Sequence, residues 1–216
     1  MVNCQSDLYT LTTISPNHTY TVQLVERLNP TDEPYYRHVV GLKVYSGERL
    51  IADDPHFSGG VRSEERFGRE LPEHNWISDS VLRFGRTPLS AQTKYDEVLI
   101  HNNATKAVTF LAINGGSDML LLIDLRPNTT TKVALQSQTY YGASTSWIGY
   151  AGQFADGRRI EPDGLNFRIR GKYVTPSVYC ITIRDDEATV RSRDYEGVSF
   201  LGGVEKSFPV ASDCSE

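Results

Sequence analysis

The feature that most constrains this chain is a repeated switch between apolar and polar side chains at every second residue, in runs too short for a helix and separated by turn formers. Tyr20, Val22 and Leu24 fall on one side of an extended chain while Thr21 and Gln23 fall on the other, which is the period of a strand with one wet face. Val40, Leu42 and Val44 repeat the pattern, Ser46-Gly47-Glu48 turns, and Arg49-Leu50-Ile51-Ala52 returns as the second arm of a hairpin. Val98 and Ile100 alternate too, as do Leu165, Phe167 and Ile169, and Val178, Cys180 and Thr182 alternate against Tyr179, Ile181 and Ile183. Met119 to Leu125 differs in being apolar on both faces. Such a run predicts a strand buried on both sides, central in a packed sheet.

Between these runs the chain carries turn chemistry: Ser15-Pro16-Asn17-His18, Gly85-Arg86-Thr87-Pro88, Asn114-Gly115-Gly116-Ser117 and Arg126-Pro127-Asn128-Thr129. Asp156-Gly157 is the signal of a type I′ hairpin, and the arginines after it, Arg158 and Arg159, are expected to be solvated. Twelve Tyr and eight Phe among many Val, Ile and Thr suit pleated, half-buried surfaces. No segment sustains a 3.6-residue period, so the crossover helices of a parallel α/β fold are missing. The expected fold is all-β, an antiparallel β-sandwich. Two tandem Ig-like or jelly-roll-like sandwiches, residues 1–92 and 93–216, are the preferred division. A single large sandwich is the alternative, because the first half supplies only four or five strands and needs partners to close a core.

A net charge of −5 offers no attraction for a phosphate backbone. Nucleic acid is therefore not an expected partner. No run approaches the roughly 18 apolar residues of a transmembrane helix. Cys180 and Cys214 can close a loop of about 34 residues, a constraint worth roughly 3 to 4 kcal/mol if they are bonded rather than free. Met1-Val2-Asn3 shows no leader, but were one removed, Cys4 before Gln5-Ser6-Asp7 would stand where a bacterial lipoprotein carries its acylated cysteine. A periplasmic or cell-surface location is favoured over the cytoplasm.

Two segments attract functional expectations. Asp53 to Asn75 reads as a long surface excursion that gathers Asp53, Asp54, His56 and His74, with Glu64, Glu65 and Glu73 nearby. Carboxylates with imidazoles can hold a divalent metal, yet the spacing matches neither HExxH nor an EF-hand, so no cofactor is expected and a solvated loop is the competing reading. Gln138 to Gly152 carries Tyr140, Tyr141, Trp147 and Tyr150 among Gly, Ser and Thr. Rigid aromatics on a small-residue loop suit stacking on a sugar ring or anchoring a protein, whereas the competing reading packs Trp147 into the core. Gly142-Ala143-Ser144-Thr145-Ser146 lacks the second glycine of a nucleophile elbow, and Cys180 in a strand is by default an inert thiol. The leading expectation is a non-catalytic β-sandwich module that binds a protein or carbohydrate through its long loops. A carbohydrate-active protein, either sugar-binding or hydrolase-like, is the alternative.

Overall fold

The computed structural model describes residues 7–28, 38–55, 57, 73–85, 95–114, 119–136, 145–160, 167–170, 178–186, 188–192, 197–201 and 204–208. Every regular element among them is a strand and none is a helix. In chain order they are β1 (Asp7–Ile14), β2 (Tyr20–Leu28), β3 (His38–Ser46), β4 (Arg49–Asp54), β5 (His74–Ser78), β6 (Val81–Phe84), β7 (Tyr95–Asn102), β8 (Val108–Asn114) and β9 (Met119–Leu125). They continue with β10 (Thr129–Gln136), β11 (Thr145–Phe154), β12 (Arg159–Ile160), β13 (Phe167–Arg170), β14 (Val178–Ile183), β15 (Ala188–Ser192), β16 (Gly197–Leu201) and β17 (Val204–Phe208).

The first four strands form an antiparallel meander, β1-β2-β3-β4. Its tight turn between β3 and β4 places Gly47 at φ 58°, where the Gly47 N–H donates to the Thr19 carbonyl at 3.0 Å. A side chain there would be strained, which is why glycine holds the position. Along β2, Val22 and Leu24 are buried while Thr21 and Gln23 are half-buried. The two-residue period of the sequence is thus realised as one dry face and one wetter face.

A second sheet runs β12-β11-β8-β9-β6-β5, with β13 also paired to β11, and a third runs β10-β7-β14-β15. The second sheet is the central layer. Its Leu82, Phe84, Phe110, Ala112, Met119, Leu121 and Ile123 pack with Val22, Leu24, Leu42 and Val44 of the first sheet in one core, joined by Phe57. Phe57 and Phe110 meet edge-on, with ring centroids 5.9 Å apart. Val81, Leu111, Ile113, Leu120 and Leu122 on the opposite face pack with Val98, Ile100, Tyr179, Ile181 and Ile183 of the third sheet in another core. The apolar run of β9 therefore does what its composition predicts, sending Met119, Leu121 and Ile123 one way and Leu120 and Leu122 the other. Burying each such side chain contributes about 1.5 to 3 kcal/mol.

The central sheet joins β5 and β6 to β8 and β9, with Leu82 opposite Leu121. The expected division near residue 92 thus runs through one hydrogen-bonded sheet: the short first-half strands complete their layer with strands from the second half. Among the described residues the pairings are antiparallel except one, since β14 lies parallel to β7 with Ile181 opposite Ile100. A parallel neighbour needs a long crossover. Here the chain between them builds much of the central sheet. A two-stranded pair, β16-β17, completes the described elements.

Candidate ligand-binding cleft

Backbone geometry singles out one position in the middle of these layers. Among the described residues three non-glycine residues adopt positive φ, and two of them, His18 (59°) and Asn128 (54°), sit in turns. The third, Asp124 (56°), lies within β9. Asp tolerates this conformation better than most residues, and inside a strand it marks a local irregularity. The β8–β9 ladder passes from the pair Val108–Leu125 to Phe110–Ile123, leaving Thr109 and Asp124 out of its pairs. Residues two apart in a strand normally share a face. Across this step they do not: Val108 and Leu125 belong to the core under the third sheet, Phe110 and Ile123 to the core under the first. The left-handed residue turns the strand over.

Asp124 is tied in place from another layer. The Tyr20 hydroxyl, on β2, donates to Asp124 Oδ2 at 3.1 Å. Burial pushes the Tyr20 hydroxyl above its usual range, and the Asp124 carboxylate adds to the shift by charge and by hydrogen bond, while Arg126 acts against it. Arg126, Asp124 and Tyr20 therefore sense one another electrostatically. After Arg126 the chain turns tightly. The Asn128 N–H donates to the Asn102 carbonyl at 2.7 Å, and the Thr129 hydroxyl donates to the Arg126 carbonyl at 2.6 Å. Buried Asn102 braces the same turn from below, donating from Nδ2 to the Leu125 and Lys106 carbonyls at 2.8 and 3.2 Å. On the other side the Ile123 N–H donates to the Ser80 carbonyl at 2.9 Å, and the Asn17 N–H donates to Asp79 Oδ1 at 3.1 Å.

These contacts frame an open cleft of about 300 Å³ between the central and third sheets. Ser80, Asp124, Arg126, Thr129 and Thr131 give it polar walls, and the nearly buried Val81 and Leu125 give it a narrow apolar floor. The Ser80 and Thr131 hydroxyls and the Arg126 guanidinium have no hydrogen-bond partner among the described residues. Nothing in the sequence pattern singled these residues out. The one available signal was Asp124, the only charged residue in the otherwise apolar run of β9.

Those of the residues expected from sequence that the structure describes do not line this cleft. Tyr140, Tyr141, His56 and Cys214 lie outside the described residues. Trp147 is in β11, its backbone opposite Arg168 of β13. Tyr150, three residues on, is in the core, 4% exposed, and its hydroxyl donates to the Ala188 carbonyl at 2.8 Å. It is a core tyrosine linking two layers rather than a surface aromatic. Asp53 and Asp54 are strand residues of β4, not part of a loop, and neighbours in a strand point to opposite faces. Asp53 is accordingly exposed and Asp54 buried. Asp54 Oδ2 accepts from Arg159 Nη2 at 3.2 Å, so Arg159 is an ion-pair partner rather than merely solvated. Burial of the carboxylate demands such a partner. Arg158 lies over the Phe154 ring at 4.6 Å. His74 sits in β5 with its ring tilted against Phe84 at 6.3 Å. Among the described residues no three His, Cys, Asp or Glu side chains converge on a common point. Cys180, on β14 and 5% exposed, is disulfide-bonded, and the bridge's other end lies outside the described residues. No family model, curated protein or solved structure matches this chain, so its chemistry rests on the groups just described.

Proposed function

We propose that this chain is a non-catalytic β-sandwich module that binds a ligand or partner and works outside the cytoplasm. The observation that carries the reading is the cleft at Asp124. It combines uncommitted polar groups with a narrow apolar floor, as small-molecule sites do, and a positive-φ residue tied to the first sheet by the Tyr20 hydroxyl holds its rim. The disulfide at Cys180 supports the extracytoplasmic part, because such bonds persist in oxidising compartments. The alternative of a carbohydrate-active protein is favoured by the hydroxyl-rich lining at Ser80, Thr129 and Thr131. Of its two forms, sugar binding suits that lining better than hydrolysis.

Two measurements test the proposal. Alkylation of the protein taken from its own cells, followed by mass spectrometry, should leave Cys180 unlabelled until a reductant is added; a freely labelled Cys180 would remove the extracytoplasmic reading. Small polar probes added to the protein should bind saturably and be recovered chemically unchanged after prolonged incubation. Turnover of a probe would overturn the non-catalytic reading.

A further inference from the structure

We propose that the Asp124 cleft takes a neutral, polyhydroxylated ligand of about the size of one pyranose ring. The inference rests on the binding-module reading and names its ligand class. The lining carries one carboxylate, Asp124, and one guanidinium, Arg126. Their charges cancel, so neither an anion nor a cation meets an uncompensated field. Both groups are planar and bidentate, the geometry that engages two adjacent hydroxyls, one group accepting and the other donating. The Ser80 and Thr131 hydroxyls, free to rotate and each able to donate and accept, match hydroxyls on a ligand better than they match either end of a zwitterion.

The floor supplies the other half of a sugar's recognition. Val81 and Leu125, each 6% exposed, present a small apolar surface beneath the polar rim, while Leu122 is fully buried in the core behind them. A pyranose has the same division, with hydroxyls round its edge and C–H groups on its face. The volume of about 300 Å³ lies at the small end of the range of roughly 300 to 1,000 Å³ for small-molecule sites. That is room for one ring. The Tyr20 hydroxyl fixes the carboxylate by one oxygen, and no described residue bonds the other.

The test is heteronuclear NMR on the full chain with three probes: methyl α-glucopyranoside, glycine as a zwitterion and sulfate as an anion. The glycoside should shift the Ser80, Asp124, Arg126 and Thr129 amides saturably, with Kd in the millimolar range. Arg126→Ala and Thr131→Val should each weaken it about five- to tenfold, the value of one or two hydrogen bonds. Asp124→Gly keeps the positive φ accessible and removes the carboxylate, so the fold should persist while glycoside binding is lost. Shifts of the same amides by glycine or sulfate and not by the glycoside would overturn the ligand class and leave the binding-module reading standing. If none of the three moves these amides, the cleft is not such a site, and the module must bind elsewhere.

Discussion

Sheet β1–β4 and the central sheet use the same two-residue period in opposite ways. In β2 the alternation separates a dry face from a wetter one, and each strand pairs with its neighbour in sequence. In β9 both halves of the alternation are apolar, and the central sheet collects strands from His74 to Ile160. The difference teaches where this molecule tolerates change. A position facing water on the meander exchanges one solvated side chain for another, whereas every apolar position on β9 belongs to one of two cores.

The sharpest way to break that comparison is to truncate one residue of each kind. Leu121→Ala on β9 should cost about 2 to 5 kcal/mol in urea unfolding, while Gln23→Ala on β2 should stay within about 0.5 kcal/mol. Comparable losses at both would mean that the meander has no tolerant face. Asn102→Ala comes next, at about 2 to 4 kcal/mol, because the Leu125 and Lys106 carbonyls would lose a buried donor and the Ala104 N–H its acceptor at 3.2 Å. Gly152→Ala should cost about 1 to 3 kcal/mol, since its new Cβ would stand 2.6 Å from the Phe110 carbonyl oxygen and force β11 away from β8. A fully tolerated alanine there would show that the two strands can slide apart freely.

Smaller effects sharpen the picture at the edges. Asp124→Gly and Asp124→Val both remove the acceptor of the Tyr20 hydroxyl, but Asp124→Val, β-branched at positive φ, should cost about 1 to 2 kcal/mol more than Asp124→Gly. Equal stability of the two variants would mean that the backbone at 124 can relax. Smallest is the exposed pair Lys106–Asp156, 2.6 Å apart. The hydrogen bond from Lys106, helped by the Arg158 N–H, holds the Asp156 carboxyl below its ordinary 3.8. Because the folded value is depressed, its contribution is present at neutral pH and fades as pH falls through that lowered value. An NMR titration of Lys106→Met should find the Asp156 midpoint moved back up towards 3.8; an unmoved midpoint would assign the shift to the backbone alone.

Much of this was legible in the chain. The alternation of Tyr20 to Leu24 and the doubly apolar run of β9 specify strands and their number of dry faces, because side-chain period is a local property. What joins distant residues was not legible. Asp54 read as part of a polar loop because its partner, Arg159, lies 105 positions away. Tyr150 read as a displayed aromatic because nothing near it in sequence reveals that its hydroxyl meets Ala188 across two layers. The cleft failed to register for the same reason: Ser80, Asp124 and Thr131 come from three separate strands and turns. The parallel neighbours β7 and β14 are another such case, since periodicity carries no record of which strands lie side by side.

The turnover of β9 at Asp124 has a mechanical consequence. Since β8 and β9 each feed side chains to both cores and exchange sides at the same rung, no plane exists along which an outer layer can be peeled away with its own interior intact. Heating should therefore melt the meander and the third sheet in a single cooperative step, each layer surviving only as long as its neighbour does.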